Sequence, residues 1–137
     1  MIYTERLVTI KNSEASIDSV VVLYRGDKDV EIIFKIVDSK FKFSSVKGNV
    51  IEHTQASFGQ LAILNPNGTN VFSDVTPCVE GMVTFKMTAE MMDELTEIGE
   101  YSFHIRLYNE DQSSRVTLPP IIDGIEVREP IVSEDTE

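Results

Sequence analysis

The sequence predicts a mainly β chain, folded as an antiparallel β-sandwich with one short helix. Three observations carry this expectation. About nine or ten short segments alternate apolar and polar residues with period two. Turn residues punctuate them at regular spacing, and only the stretch after Thr88 has helical spacing. At 137 residues and 42% apolar composition, the chain is one domain long. Mass scaling gives roughly 15,000 Å² buried on folding, enough for a core without disulfide or metal staples.

The elements run in order along the chain. Ile2 to Lys11 and Ile17 to Tyr24 are apolar and β-branched, parted by Asn12-Ser13-Glu14. Arg25-Gly26-Asp27-Lys28 predicts a turn. Val30, Ile32, Phe34 and Ile36 then alternate with Glu31, Ile33, Lys35 and Val37. Both faces are partly apolar, which predicts a central strand. After Asp38-Ser39, Phe41 and Phe43 alternate with Lys40 and Lys42 in a half-buried strand. Strands near Phe58–Leu64 and Asn70–Ser73 flank Asn65-Pro66-Asn67-Gly68, a bulged hairpin turn in which Gly68 supplies the left-handed position. Cys78, following Pro77, falls in a loop between strands.

Past the Glu80-Gly81 turn, Met82 to Met87 alternates as a strand. Thr88 caps a helix from Ala89 to about Thr96, with Glu90 in the first turn and Gly99 ending it. Tyr101, Phe103, Ile105 and Leu107 face inward along the next strand, while Ser102, His104, Arg106 and Tyr108 face outward. Asn109 to Ser114 is a hairpin loop. Pro119-Pro120 interrupts the return strand and confines it there to an edge or a sheet crossing. Ile121 to Val127 is the last strand. Residues 1–128 are thus expected to form the β-domain, and 129–137 an acidic tail or linker.

Glu97-Ile98-Gly99-Glu100-Tyr101-Ser102-Phe103 resembles the tyrosine corner of immunoglobulin-like domains. There a tyrosine early in a late strand bonds back to the backbone two residues before a core position, which Phe103 would fill. The expected sandwich is therefore immunoglobulin-like.

Composition excludes several functions. Twelve Lys and Arg against 23 Asp and Glu give a net charge of −11, which repels phosphate backbones and anionic membrane surfaces alike. No apolar run reaches the length of about 20 residues that a spanning helix needs. The N-terminus lacks a basic and apolar leader, so no secretory signal is expected, and the single cysteine fits a reducing compartment. Six acids between residues 80 and 100, and six more between 123 and 137, carry most of the imbalance. Solvated faces and a polar tail explain them better than a cation site does.

No catalytic constellation emerges. His53 lies in a polar loop and His104 on an outward strand position, with no motif joining either to Cys78 or a serine. Asp27 and Asp29 start like a calcium loop, but Asp38 stands where the bidentate Glu belongs. Glu90 and Glu94 share one helix side and are read as solvated, and Cys78 has no basic neighbour to activate it. Lys40, Lys42 and Lys47 make a small basic cluster, with Phe41 and Phe43 at the opposite parity. The expectation is a non-enzyme without cofactor or metal.

The order of these features resembles the N-terminal domain of the baseplate upper proteins of long-tailed bacteriophages that infect Gram-positive hosts. The likeness covers about residues 1–128 and is carried by Tyr24-Arg25-Gly26-Asp27, the long apolar strand, Asn65-Pro66-Asn67-Gly68-Thr69, the acidic helix, Gly99-Glu100-Tyr101-Ser102-Phe103, and a final strand after Pro119-Pro120. Asn67 stands where the family suggests an aspartate, a departure the turn tolerates. The resemblance implies an immunoglobulin-like domain that fastens its protein to the tail hub, while a more distal segment carries receptor-binding parts, commonly as trimers. Its partners would be phage tail proteins, its place the virion baseplate assembled in the host cytoplasm, and the chain one domain of a longer protein.

Tyr24, Gly26, Asp27, Pro66, Gly68, Gly99 and Tyr101 are then expected to set the fold, not to bind ligands. The sequence names no docking surface. Its candidates are an edge strand near Pro119-Pro120 and the apolar side of the Met91/Met92 helix, whose methionines would equally well complete the core. The alternative is an immunoglobulin-like module that binds glycans or a host surface. It is weakened by the absence of tryptophan, with only Tyr3, Tyr24 and Tyr108 as outward tyrosines.

Overall fold

The computed structural model describes residues 2–11, 14–27, 30–38, 43–44, 50–51, 56–65, 69–113 and 115–130. Among them the chain is mainly β, with one short helix. The strands are β1 (Ile2–Lys11), β2 (Glu14–Ile17), β3 (Val21–Tyr24), β4 (Val30–Asp38), β5 (Phe43–Ser44), β6 (Val50–Ile51), β7 (Phe58–Leu64), β8 (Val71–Phe72), β9 (Thr76–Val79), β10 (Met82–Met87), β11 (Gly99–Tyr108), β12 (Arg115–Thr117) and β13 (Ile121–Arg128), with α1 (Ala89–Glu94) between β10 and β11.

Eleven strands join in one sheet along the path β2-β1-β4-β10-β9-β7-β11-β13-β3, with β8 on β7 and β12 on β11; β5 and β6 pair separately. The path curls. Its two ends, β2 and β3, are consecutive in the chain and only Asp18–Val20 joins them. Three extended residues reach about 10 Å, the spacing of packed sheets, so the ends must lie close. One arm (β2, β1, β4, β10) therefore faces the other (β7, β11, β13, β3). Phe34 of β4 stacks on Phe103 of β11 at 5.2 Å between ring centroids, and Phe85 of β10 meets Phe34 at 6.0 Å.

The core draws on the predicted parities. Ile32, Phe34 and Ile36, then Val83, Phe85 and Met87, and then Tyr101, Phe103, Ile105 and Leu107 are all buried. Strand β4 is central as expected, with β1 on one side and β10 on the other.

Four expectations change. The sheet is mixed, not purely antiparallel, because β1 runs parallel to β4 and β13 parallel to β3. Ile17 to Tyr24 is two strands, one on each arm. Asp18 breaks it: its carboxylate accepts from the N–H groups of Leu7 and Ser19, both at 3.0 Å. Arg6 then donates to the carbonyls of Ser19 and Val20 at 2.9 Å, pinning the crossing. Cys78 lies in strand β9, not in a loop. This strand pairs with β10 on one arm and β7 on the other. The Cys78 N–H donates to the Ser57 carbonyl at 2.8 Å, so Pro77 sits where the ladder to β7 asks nothing of its nitrogen.

The helix is shorter than expected and ends at Glu94. Thr88 Oγ1 accepts from the Met91 N–H at 3.2 Å, an N-cap that satisfies one free donor of the first turn. The Leu95 N–H bonds back to the Met92 carbonyl at 3.2 Å and closes the helix before Gly99.

Strand β13 carries a bulge against β11, where the register shifts between Tyr101 and Phe103. Asp123 takes φ +54° there, its N–H bonded to Ser102 Oγ at 3.0 Å. Gly124 is next, and a Cβ at that position would stand 2.5 Å from Phe103 Cε1 and 2.7 Å from Ile121 Cγ2. The Phe103 ring occupies the room that a side chain at Gly124 would take.

Candidate docking surfaces

Among the described residues no group of three His, Cys, Asp or Glu side chains is placed to hold a metal ion. His104 stands on the outward parity of β11, whereas Cys78 is buried in β9, where desolvation raises its thiol pKa. His53, Asp29, and the Lys40, Lys42 and Lys47 cluster lie outside the described residues, as do Pro66 and Gly68.

The other sequence-derived positions divide between two places. At Tyr24–Asp27 the Asp27 N–H donates to the Tyr24 carbonyl at 3.1 Å, and the Asp27 carboxylate accepts from the Tyr24 N–H at 3.3 Å. Gly26 holds φ +85°, which a Cβ would oppose. The turn is tied to the end of β13 by the Arg25 N–H on the Arg128 carbonyl at 3.0 Å and by an Arg25–Glu129 ion pair at 3.3 Å. At the start of β11, Gly99 has φ +137°. The buried Tyr101 sends its hydroxyl to the Glu97 carbonyl at 2.8 Å and accepts from the Glu97 N–H at 3.2 Å. That is the backbone tie of a tyrosine corner.

Of the two docking candidates, the helix keeps its methionines inside: Met91 and Met92 are buried. Glu90 and Glu94 are exposed, as expected of solvated acids. The edge near Pro119-Pro120 is open. There β2 and residues Pro119–Ile122 line a groove of about 560 Å³, with Ile122 69% exposed.

A further surface, only partly apparent from the sequence, is the outward face of β11 and its neighbours. Register places Arg106 between Gln60 and Thr117, Tyr108 between Phe58 and Arg115, and His104 beside Ala62, which pairs with Phe72. Arg106 lies over the half-exposed Phe72 ring at 5.7 Å, a cation–π contact, and its buried Nε has no partner among the described residues. Tyr108 donates to Gln60 Oε1 at 3.1 Å, and Gln60 donates to the Ser73 carbonyl at 2.9 Å. Burial and the Arg106 charge lower the His104 pKa.

At the other end of this face Glu100 is opposite Glu126. Repulsion from Asp123 first, with a side-chain hydrogen bond to Asp123, some burial and the Glu126 charge behind it, raises the Glu100 pKa above its usual 4.5. The fold therefore destabilises the ionised carboxylate relative to the unfolded chain. Stability is gained as pH falls through the raised pKa, because the folded chain takes the proton first. Glu100→Gln is expected to raise the melting temperature at pH 7, with the gain shrinking towards pH 4.5. A pH series of paired melts measures this, and a gain independent of pH would remove the repulsion as its cause.

The fold thus defines a class: a mainly β domain whose principal mixed sheet curls around a shared core. A solved structure of this class is the N-terminal domain of phage TP901-1 ORF48, which superposes with a TM-score of 0.61 over 94% of this chain and 100% of that one, at 9% sequence identity. No protein-family model matches the sequence. No curated protein matches it either.

Proposed function

We propose that the chain is a structural module of a phage tail baseplate, fastened to the tail hub by protein–protein docking and supporting distal receptor-binding parts. The observation that carries this reading is the shared fold with the N-terminal domain of a phage protein over nearly the full length of both chains. The order of turns and strands in the sequence leads independently to the same kind of domain. The work is mechanical, with no catalytic residue, cofactor or nucleic acid involved. Tyr24, Gly26, Asp27, Pro66, Gly68, Gly99 and Tyr101 serve as fold-setting positions. Residues 129–137 serve as the link to the distal parts, and copies act together, so that weak contacts add through effective concentration.

The test is co-expression with the hub and receptor-binding proteins encoded beside it, and then light scattering of the purified mixture. A stable complex with the hub protein is expected. No complex at high concentration, together with binding of the isolated domain to cell-wall glycans, would replace the scaffold reading with direct host-surface recognition.

A further inference from the structure

The outward face of β11 is electrically polar along its length. In chain order it presents Glu100, Ser102, His104, Arg106 and Tyr108. At the first end Glu100 stands beside Asp123 and opposite Glu126, and of these three only Glu126 has a cation among the described residues, Arg128 at 2.6 Å. At the second end Arg106 and Arg115 lie two residues apart across the β11–β12 pair, and neither has a carboxylate partner among the described residues. Like charges are held together at both ends, and each end is what the other lacks. Exposed apolar groups flank the pattern, with Ile122 69% and Phe72 48% exposed. On a chain of net charge −11, a face with balanced, separated charge is unusual.

We propose that this face is a two-fold contact between two copies of the chain, stacked face to face with their β11 strands antiparallel. A two-fold axis crossing β11 near His104 preserves each strand lane and reverses its direction. By register, Arg115 of one copy then lies over Glu126 of the other, and Arg106 lies over Ser102 between Glu100 and Asp123. Each pairing occurs twice. The Phe72 ring beneath Arg106 holds the guanidinium in position, so little side-chain freedom is lost on contact. His104 meets its own copy at the axis, where the lowered pKa keeps both rings neutral at pH 7.

Four strand lanes about 4.8 Å apart and ten residues long offer roughly 600 Å² per copy. That is below the area of standard stable complexes, so the pair is weak and acts where an assembly concentrates the chain. The contact is inferred from charge geometry and does not rest on the baseplate reading.

The test is sedimentation equilibrium of the purified chain from about 10 μM to about 1 mM, where a contact of this size dissociates. A concentration-dependent dimer is expected. Arg115→Glu, on an exposed strand position, and Glu100→Arg should each weaken it about tenfold or more, since each reverses two symmetric attractions. The double reversal Glu100→Arg/Arg106→Glu should recover part of it relative to Glu100→Arg alone, because residues 100 and 106 attract again while Asp123 still faces residue 106. His104→Cys should be cross-linked to its own copy by a short bismaleimide, which spans sheets stacked about 10 Å apart where a direct disulfide would not, whereas Lys86→Cys on the other arm should not. Circular dichroism confirms that each variant is folded. A chain monomeric throughout, a dimer indifferent to both reversals, or one cross-linked through residue 86 would overturn the proposal, the last by placing the contact on another surface.

Discussion

Phe103→Ala is expected to remove about 3–5 kcal/mol of folding stability. The ring is fully buried and stacks on Phe34, so its loss opens a cavity between the two arms where the backbones cannot close in. A typical domain has about 5–15 kcal/mol in all, so this change alone brings the fold near its limit. Urea titration checks it: the midpoint should fall while the slope stays close to that of the parent chain. A loss below about 1 kcal/mol would mean that the arms do not share this ring as their common filling.

Gly124→Ala should cost about 1–3 kcal/mol although it adds one methyl group. The new Cβ would stand 2.5 Å from Phe103 and 2.7 Å from Ile121, and the Phe103 ring, held against Phe34, has little room to yield. The two changes are coupled. In the Phe103→Ala background the part of the cost of Gly124→Ala that comes from the ring should vanish, while the 2.7 Å approach to Ile121 remains. A double-mutant cycle by the same titration reads this, and simple additivity would locate the strain elsewhere.

Much of the fold was legible because it is local. The two-faced apolar run of β4 announced a strand with neighbours on both sides, and the parity of β11 separated Phe103 from His104 correctly. What escaped depends on distant partners. Asp18 divides β2 from β3 only because Leu7 and Arg6 lie alongside to hold the crossing, which nothing between Ile17 and Tyr24 reveals. Strand β9 is short and contains a proline, and its strand character comes from β7 and β10 on either side. The parallel pairings likewise join segments far apart in sequence.

The polar face of β11 was half visible. Glu100, His104 and Arg106 share a parity that the sequence displays, and charge counted along the chain rather than along that face hid the pattern. Arg115 and Asp123 reach it only through pairing and a bulge.

Strand β9 has four residues, yet it is stitched to both halves of the molecule. On the β9 side, among the described residues, the two arms therefore share a strand and have no free seam. Lifting either half peels this short segment from the other and exposes the phenylalanines of both, so sub-global opening gives little saving over complete unfolding. Slowly exchanging amides on β4 and on β11 should therefore report one shared opening energy.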